Sequence, residues 1–479
     1  MQLARRKAGS IPCCRGLCWG RPENESYDER MIIERSSQLP ADPSAVFDWF
    51  SRPGAIVRLL PPWLPLKPIR EAASLEDGTA VLGIPGGLRW IAKHQPLEFS
   101  ENRRFVDQLE PEGLRGLPTR AIKWKHEHLF EPAGTGATTV SDRIESNVPR
   151  RRIEQMLAYR HRQLAADFAA HRSAAEAGLA PQVIAVTGSS GLVGEALCAF
   201  LSTGGHRVIK LVRRAPASPD ERRWDPDNPA ENLLEGCDAV IHLAGASIFG
   251  RFTQEHRQAV LKSRIGPTRS LALLASRSGV STFVSASAIG IYGASTGPEA
   301  VEESDAQPAQ SGDFLVEVVQ GWEEAARAAG PDLRSVQIRT GVVLTPKGGM
   351  LAVLRPLFAA GVGGKLGSGQ QRLSWIGLDD LLDIYLRALW DGQLSGPVNA
   401  VAPHMASNAE FTNALAHALK RPAFIPVPEA APKVLLGSQS ARLLALADQW
   451  VIPRKLLDAG HVFRNERIEA ELAHSLGAS

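Results

Sequence analysis

At 479 residues the chain is too long for one hydrophobic core, and two or three domains are expected. Lys plus Arg number 54 against 51 Asp plus Glu, and a net charge of +3 provides no global field for nucleic acid or an anionic membrane. No apolar run approaches the roughly 20 residues that span a bilayer, and five cysteines, three of them at Cys13, Cys14 and Cys18, form neither a disulfide framework nor, without a nearby His or fourth Cys, a metal site. The isolated Cys198 and Cys237 suit a reducing, cytoplasmic compartment.

Residues 1–30 carry Arg5, Arg6 and Lys7, and Arg15 breaks the one apolar stretch, so a secretory signal is not expected. The segment reads as a disordered leader, with Met31, where a good strand begins, as the expected natural start. Ala41-Asp-Pro-Ser-Ala-Val-Phe-Asp-Trp-Phe predicts a short amphipathic helix, with Pro43 in its first turn and Val46, Phe47 and Phe50 on one face. Strands follow at 79–84, 88–94, 103–110, 122–130 and 137–146 between Gly and Pro turns, an antiparallel pattern. From Arg151 to Ala175, Ile153, Leu157, Leu164 and Phe168 recur near helical spacing, so one long helix should lie across the sheet. Trp90, Trp124, His94, His126 and His128 are expected in strand packing and on the surface rather than in a site, and no metal ligand is assigned.

This order of elements, with 130–145 as the penultimate hairpin, resembles the helix-grip fold of the START and polyketide-cyclase-like (SRPBCC) superfamily over residues 32–172. The resemblance implies an α+β domain at 31–175 with an apolar cavity for a small-lipid or polyketide-like ligand, the other reading being a structural domain with a filled interior. Residues 176–182 read as a linker.

After Pro181 apolar strands alternate with helices, which predicts an α/β, doubly wound parallel sheet of the Rossmann type. The strand Val183-Ile-Ala-Val-Thr runs into Gly188-Ser189-Ser190-Gly191-Leu192-Val193-Gly194 and then a helix. Glycines suit such a turn because the backbone must approach a pyrophosphate seated on the helix N-terminus. The Gly-x-x-Gly-x-x-Gly spacing is similar to that of short-chain dehydrogenases. The second strand ends at Arg213-Arg214, where an acidic residue would meet the ribose of NAD; two guanidinium groups suit a 2′-phosphate and favour NADP. Leu243-Ala244-Gly245 after the next strand resembles the small-residue turn that in the extended family leaves room for the adenosine and ribose, and Arg264 is expected on the helix that in this superfamily packs beside the cofactor.

In extended short-chain dehydrogenases a Ser or Thr after the strand Thr282-Phe-Val-Ser-Ala-Ser binds the substrate oxygen, and a Tyr-x-x-x-Lys helix transfers the proton. Ser287 is the first serine candidate and Ser285 the second, but the helix near 313 reads Asp313-Phe-Leu-Val-Glu317, without the Tyr or the Lys. Tyr292 is the substitute phenol expected to point at the nicotinamide end of the cleft, with Glu317 near it. The Gly-rich segment 361–372 is expected to act as a substrate-side lid or, through Lys365 and Arg372, as an anion site.

The segments 285–293, 339–344, 348–350, 366–369 and 373–380, followed by Arg421-Pro-Ala-Phe-Ile-Pro-Val-Pro and Pro453-Arg-Lys-Leu-Leu, resemble the atypical, epimerase-like group sometimes labelled cell-division-inhibitor-like, with its small DUF1731-type C-terminal domain. The nucleotide-binding domain is set at 183–420 and the C-terminal one at 421–479. Two functions are expected to compete. One is an NADP-dependent epimerase or dehydratase-like oxidoreductase acting on an unidentified small molecule with a non-standard catalytic set. The other is a nucleotide-sensing regulator that has lost turnover.

Overall fold

The computed structural model describes residues 31–305 and 313–478; the expected leader and its three cysteines lie outside the described residues. The first half is a seven-stranded antiparallel sheet in the order β1-β7-β6-β5-β4-β3-β2. The strands are β1 (Met31–Leu39), β2 (Lys67–Arg70), β3 (Thr79–Ile84), β4 (Leu88–His94), β5 (Arg104–Leu109), β6 (Trp124–Pro132) and β7 (Thr138–Ser146). Five of these fall where the alternation of apolar and polar residues places them. The edge strand β2 has no such signature, being four residues long with Pro68 and a register break before Arg70.

The sheet is closed on one face by two elements. Helix Pro43–Ser51 buries Val46, Phe47, Trp49 and Phe50 against Phe105, Phe130 and Val140. The 27-residue helix Arg150–Glu176 buries Ile153 and Leu157 against Ile33 and Ile144, and Leu164 against the aromatic cluster. Between sheet, long helix and the segment 50–66 lies a cavity of about 460 Å³. Trp90, Trp124, His94, His126 and His128 all line it; Trp90 and Trp124 pack edge to face, as strand packing implies, while the three histidines are buried and not on the surface. The alternation of β6 turns His126, His128 and Phe130 inward together, all three buried.

The second half is a parallel sheet in the order β10-β9-β8-β11-β12-β13, completed by the strand Gly396–Ala400. Its strands are β8 (Val183–Thr187), β9 (Arg207–Val212), β10 (Glu221–Arg223), β11 (Ala239–His242), β12 (Thr282–Ala288) and β13 (Arg334–Thr340). The central strands β8, Val183-Ile-Ala-Val-Thr187, and β11, Ala239-Val-Ile-His242, are almost wholly apolar because helices cover both faces, whereas the edge strand β10 is Glu221-Arg222-Arg223. The C-terminal residues do not build a core of their own. Ile468, Leu472 and Leu476 join Phe411, Leu415, Phe358 and Trp375 in one cluster.

The two halves meet at buried charges. Arg58 forks onto Asp167 of the long helix, with Nε to Oδ2 at 2.8 Å and Nη2 to Oδ1 at 2.7 Å, and also donates to Asp379 at 2.7 Å. Arg464 donates to the same Asp167 at 2.9 Å and pairs with Asp383. Phe200, at the end of the helix after the glycine turn, lies beneath both guanidinium groups. Breaking one partner of such a buried set costs about 3–5 kcal/mol, which joins the sheets firmly.

Candidate functional site

Strand β8 delivers its last residue, Thr187, to a buried relay: Thr187 Oγ1 lies 2.8 Å from His242 Nδ1, and His242 Nε2 lies 3.0 Å from Thr268 Oγ1. The Thr187 hydroxyl oxygen also accepts from the N–H groups of Leu243 and Ala244 at 3.0 and 3.2 Å. This fixes the loop after β11 against the glycine turn. Burial pushes the His242 imidazole down to about 3, so it is neutral.

Each glycine of the turn has its own reason. Gly188 has φ +66°, and a Cβ there would come within 2.9 Å of the Leu243 carbonyl carbon. A Cβ on Gly194 would stand 2.1 Å from the Gly188 carbonyl oxygen, so helix and turn could not approach. Gly191 is different. It is exposed, caps the helix Leu192–Thr203 without a side-chain hydrogen bond, and its Cβ would meet only the Gly188 oxygen, at 3.2 Å. A side chain there needs the Gly188 carbonyl to give by a few tenths of an ångström, and an anion on the uncapped N–H groups would add a second reason for glycine. Ser189, Ser190, Leu192 and Val193 complete the turn, and Val193 reaches the cleft beyond it.

That cleft, of about 470 Å³, is lined by Leu243, Arg264, Ser287, Gly290, Leu315, Val318, Val319, Trp322 and Tyr385 among others, and Leu443, Leu444, Ala445 and Ala447 of the C-terminal region also line it. Ser287 is the expected serine that reaches it. Its hydroxyl donates to Glu323 Oε1 at 2.7 Å, and Arg339 donates Nε and Nη2 to the same carboxylate at 2.8 and 2.9 Å. Ser285 is fully buried and spends its hydroxyl on the Ala286 carbonyl.

Tyr292 departs from expectation. The short turn Ile289–Tyr292 turns the ring away from the cleft, and its one hydroxyl proton is shared between Asn399 Oδ1 at 2.8 Å and the Glu302 carbonyl at 3.0 Å while the oxygen accepts from Arg339 at 2.9 Å. The ring does not line the cleft, and burial pushes the phenol up to about 12. Glu317 lies on the exposed face of its helix. The cleft face of that helix offers Leu315, Val318 and Val319 instead, apolar where the missing Tyr-x-x-x-Lys would stand. Positive charge enters from the turn between the helices Gln254–Lys262 and Ile265–Arg277, since the helix expected to carry Arg264 is broken at Ser263 and Arg264. The Arg264 guanidinium, 8 % exposed, stacks 4.8 Å over Trp322 and has no acidic partner among the described residues. Burial pushes it down to about 10.

At the end of β9 the two arginines part. Arg214 forks onto Glu221, at 2.8 and 2.6 Å, whereas Arg213 is exposed with no partner among the described residues. The Gly-rich segment is anchored rather than free. Gly367 donates to the Val427 carbonyl and Val427 to that of Lys365, and Arg372 forks onto Asp448 at 2.8 and 2.7 Å. Arg372 is thereby neutralised, which removes it as an anion ligand. Trp375 is buried with its indole N–H on the His404 carbonyl, and Asp379 serves the ion cluster between the sheets. Sequence reading did not anticipate Glu323, Trp322, Tyr385 or Asn399; the inward helical spacing of Leu315, Val319, Trp322 and Glu323 was the available signal for two of them.

Residues 184–400 match the model of the NAD dependent epimerase/dehydratase family, and residues 427–475 that of the domain of unknown function DUF1731. An epimerase family protein of Mycobacterium tuberculosis is 40% identical over 301 residues, covering 62% of this chain and 98% of the relative. The crystal structure of a nucleoside-diphosphate sugar epimerase from Corynebacterium glutamicum superposes with a TM-score of 0.80 at 40% identity, covering 93% of this chain and 90% of the other, so the match takes in both sheets. Human epimerase family protein SDR39U1, solved with NADPH, gives 0.56 at 34% identity over 61% of this chain and 99% of its own. The fold, the glycine turn and these matches together show that the chain belongs to the epimerase family, in its SDR39U1-like form with a DUF1731 C-terminal region.

Proposed function

We propose that this protein is an NADP-dependent oxidoreductase of the epimerase/dehydratase kind whose proton-transfer group is the Ser287–Glu323 pair in place of Tyr-x-x-x-Lys. The carrying observation is the exposed, uncapped glycine turn at Gly191 leading into a cleft where Ser287 is hydrogen-bonded to a buried carboxylate. The residues fit a dinucleotide: Gly188, Gly191 and Gly194 would admit the pyrophosphate, Leu243, Ala244 and Gly245 the adenosine ribose, and the exposed Arg213, without a partner among the described residues, a 2′-phosphate. The NADPH in the human relative's structure supports the same preference. Bound nicotinamide supplies hydride transfer to or from carbon.

The remaining work falls to this chain. With its proton directed to Glu323, Ser287 Oγ presents lone pairs to the cleft and accepts a substrate hydroxyl proton as its own passes to the carboxylate. Arg339 orients Glu323 and balances its charge. Arg264, buried without a carboxylate, supplies the cation toward cofactor or substrate oxygens that the lysine supplies elsewhere. Leu315, Val318, Val319 and Trp322 exclude water.

Residues 31–175 belong in this reading to the START/polyketide-cyclase-like class, supported by the antiparallel sheet gripping one long helix around a largely apolar cavity, which suits a small apolar ligand. The test is mass spectrometry of molecules released from the purified protein, followed by turnover of the compound found. NADP(H) and a small carbonyl or hydroxyl compound are expected, with Ser287→Ala lowering turnover at least a hundredfold. Cofactor release with no turnover would favour the nucleotide-sensing alternative.

A further inference from the structure

We propose that Asp107, His126 and His128, at the floor of the N-terminal cavity, form a binding site for one divalent transition-metal ion with an open position facing the cavity. Antiparallel register builds the set. Asp107 of β5 lies opposite His126 of β6, and His128, two residues on, shares its face. Asp107 Oδ2 stands 3.6 Å from His126 Nδ1 and 3.6 Å from His128 Nε2, and one donor atom from each residue lies within 4.8 Å of the others. Ligands about 2.0–2.1 Å from one ion are separated by about 3.0–3.4 Å, so side-chain shifts of a few tenths of an ångström to about 1 Å would complete it.

The surroundings are those of a ligand set. The far nitrogens of the two rings, His126 Nε2 and His128 Nδ1, lie 3.3 and 2.6 Å from the same oxygen of Asp142. Small ring rotations that turn these contacts into hydrogen bonds to Asp142 would fix the tautomer that leaves the metal-facing nitrogen unprotonated. The other Asp142 oxygen is met by Arg160 and His161, each at 3.3 Å, so Asp142 has its own counter-charge. Asp107 has none. Its charged contacts within 4 Å, among the described residues, are these two imidazoles. Three protein ligands leave coordination positions vacant, and Phe50, Leu59, Leu82, Ala92 and Phe105 wall the cavity into which they open. Two imidazoles and a carboxylate with open positions suit Zn(II) or Fe(II) rather than calcium or magnesium, which prefer all-oxygen sets. Such an ion would polarise a carbonyl or carboxylate group at one end of an otherwise apolar ligand.

The probe is Co(II), with Zn(II) as competitor, titrated into full-length chain without a histidine tag after chelator treatment. One Co(II) per chain is expected, with visible absorption bands that Zn(II) abolishes. Asp107→Asn and His126→Gln should each weaken binding at least a hundredfold, and Asp142→Asn by ten- to a hundredfold. Circular dichroism and NADPH titration of each variant report whether the fold and the second half of the molecule are intact. His126→Gln, which keeps a neutral side chain of similar reach, serves if Asp107→Asn fails to fold. Absence of stoichiometric binding by the folded wild-type chain, or unchanged affinity in a folded Asp107→Asn or His126→Gln, would overturn the proposal.

Discussion

Glu323→Gln tests the polar unit at the cleft most sharply. Glu323 and Arg339 are 3 and 4 % exposed, and the carboxylate accepts three hydrogen bonds, from Ser287 and twice from Arg339. Burial disfavours the Arg339 charge, but Glu323 outweighs it and holds the guanidinium above its ordinary value. A glutamine keeps one acceptor oxygen, so the Ser287 and Nε contacts have a partner while the Nη2 bond is lost and the guanidinium stays buried without its counter-charge. Removing one partner of a buried pair costs about 3–5 kcal/mol. Arg339 retains the Tyr292 hydroxyl and the Glu303 carbonyl as acceptors, which places the expected loss near the lower bound, about 3 kcal/mol. Urea unfolding should show it as a lower midpoint at unchanged slope. Arg339→Met with Glu323→Gln should then cost less than the sum of the single changes by at least about 1.5 kcal/mol, since no orphan charge remains. A loss below about 1 kcal/mol for Glu323→Gln, or simple additivity, would refute the closed pair.

Arg213→Ala should reduce the preference for NADPH over NADH by about tenfold or more, the worth of one charge-assisted bond, while Arg214→Ala, already paired with Glu221, should change it less; the reverse order would contradict the geometry. His171, His206 and His461 are pushed down by burial to about 4 and His242 to about 3, from an ordinary value of 6.5. Between those values the unfolded chain binds more protons, so this stability is present in full above about pH 6.5 and is lost as pH falls toward 4. Thermal midpoints should fall from about pH 7 to about pH 5, and flat or rising midpoints would count against it. Gly194→Ala should destabilise the fold, because its Cβ meets the Gly188 oxygen at 2.1 Å, and a folded variant of wild-type stability would show the turn to be looser than described.

Where periodicity and spacing are local, the sequence carried the structure: the alternation of β3 to β7, the helical face of Ile153, Leu157 and Leu164, and the glycines at 188, 191 and 194 each follow from contacts within a few residues. What depended on pairing between distant segments did not show. Arg214 looked equivalent to Arg213 until β10 brought Glu221 beside it. Tyr292 follows the catalytic strand directly, but the direction of its ring is set by Asn399 and Arg339, on two later strands. His126 and His128 were expected in packing and on the surface; that they share a face of β6, that Asp107 faces them and that Asp142 backs them is a matter of strand alternation and sheet register. Arg372 read as an anion ligand because Asp448, 76 residues later, could not be foreseen as its partner.

The most direct test of a nucleotide site at the glycine turn is calorimetric titration of NADPH into the full-length chain and into Gly191→Asp. Gly191 is exposed at a helix N-terminus with φ −78°, a conformation open to any residue, so the variant should fold and keep its thermal midpoint within a few degrees. The wild-type chain should bind one NADPH, and the variant, whose carboxylate would occupy and repel the pyrophosphate, should bind at least a hundredfold more weakly. No binding to the wild-type chain, or undiminished binding to a folded variant, would contradict the account.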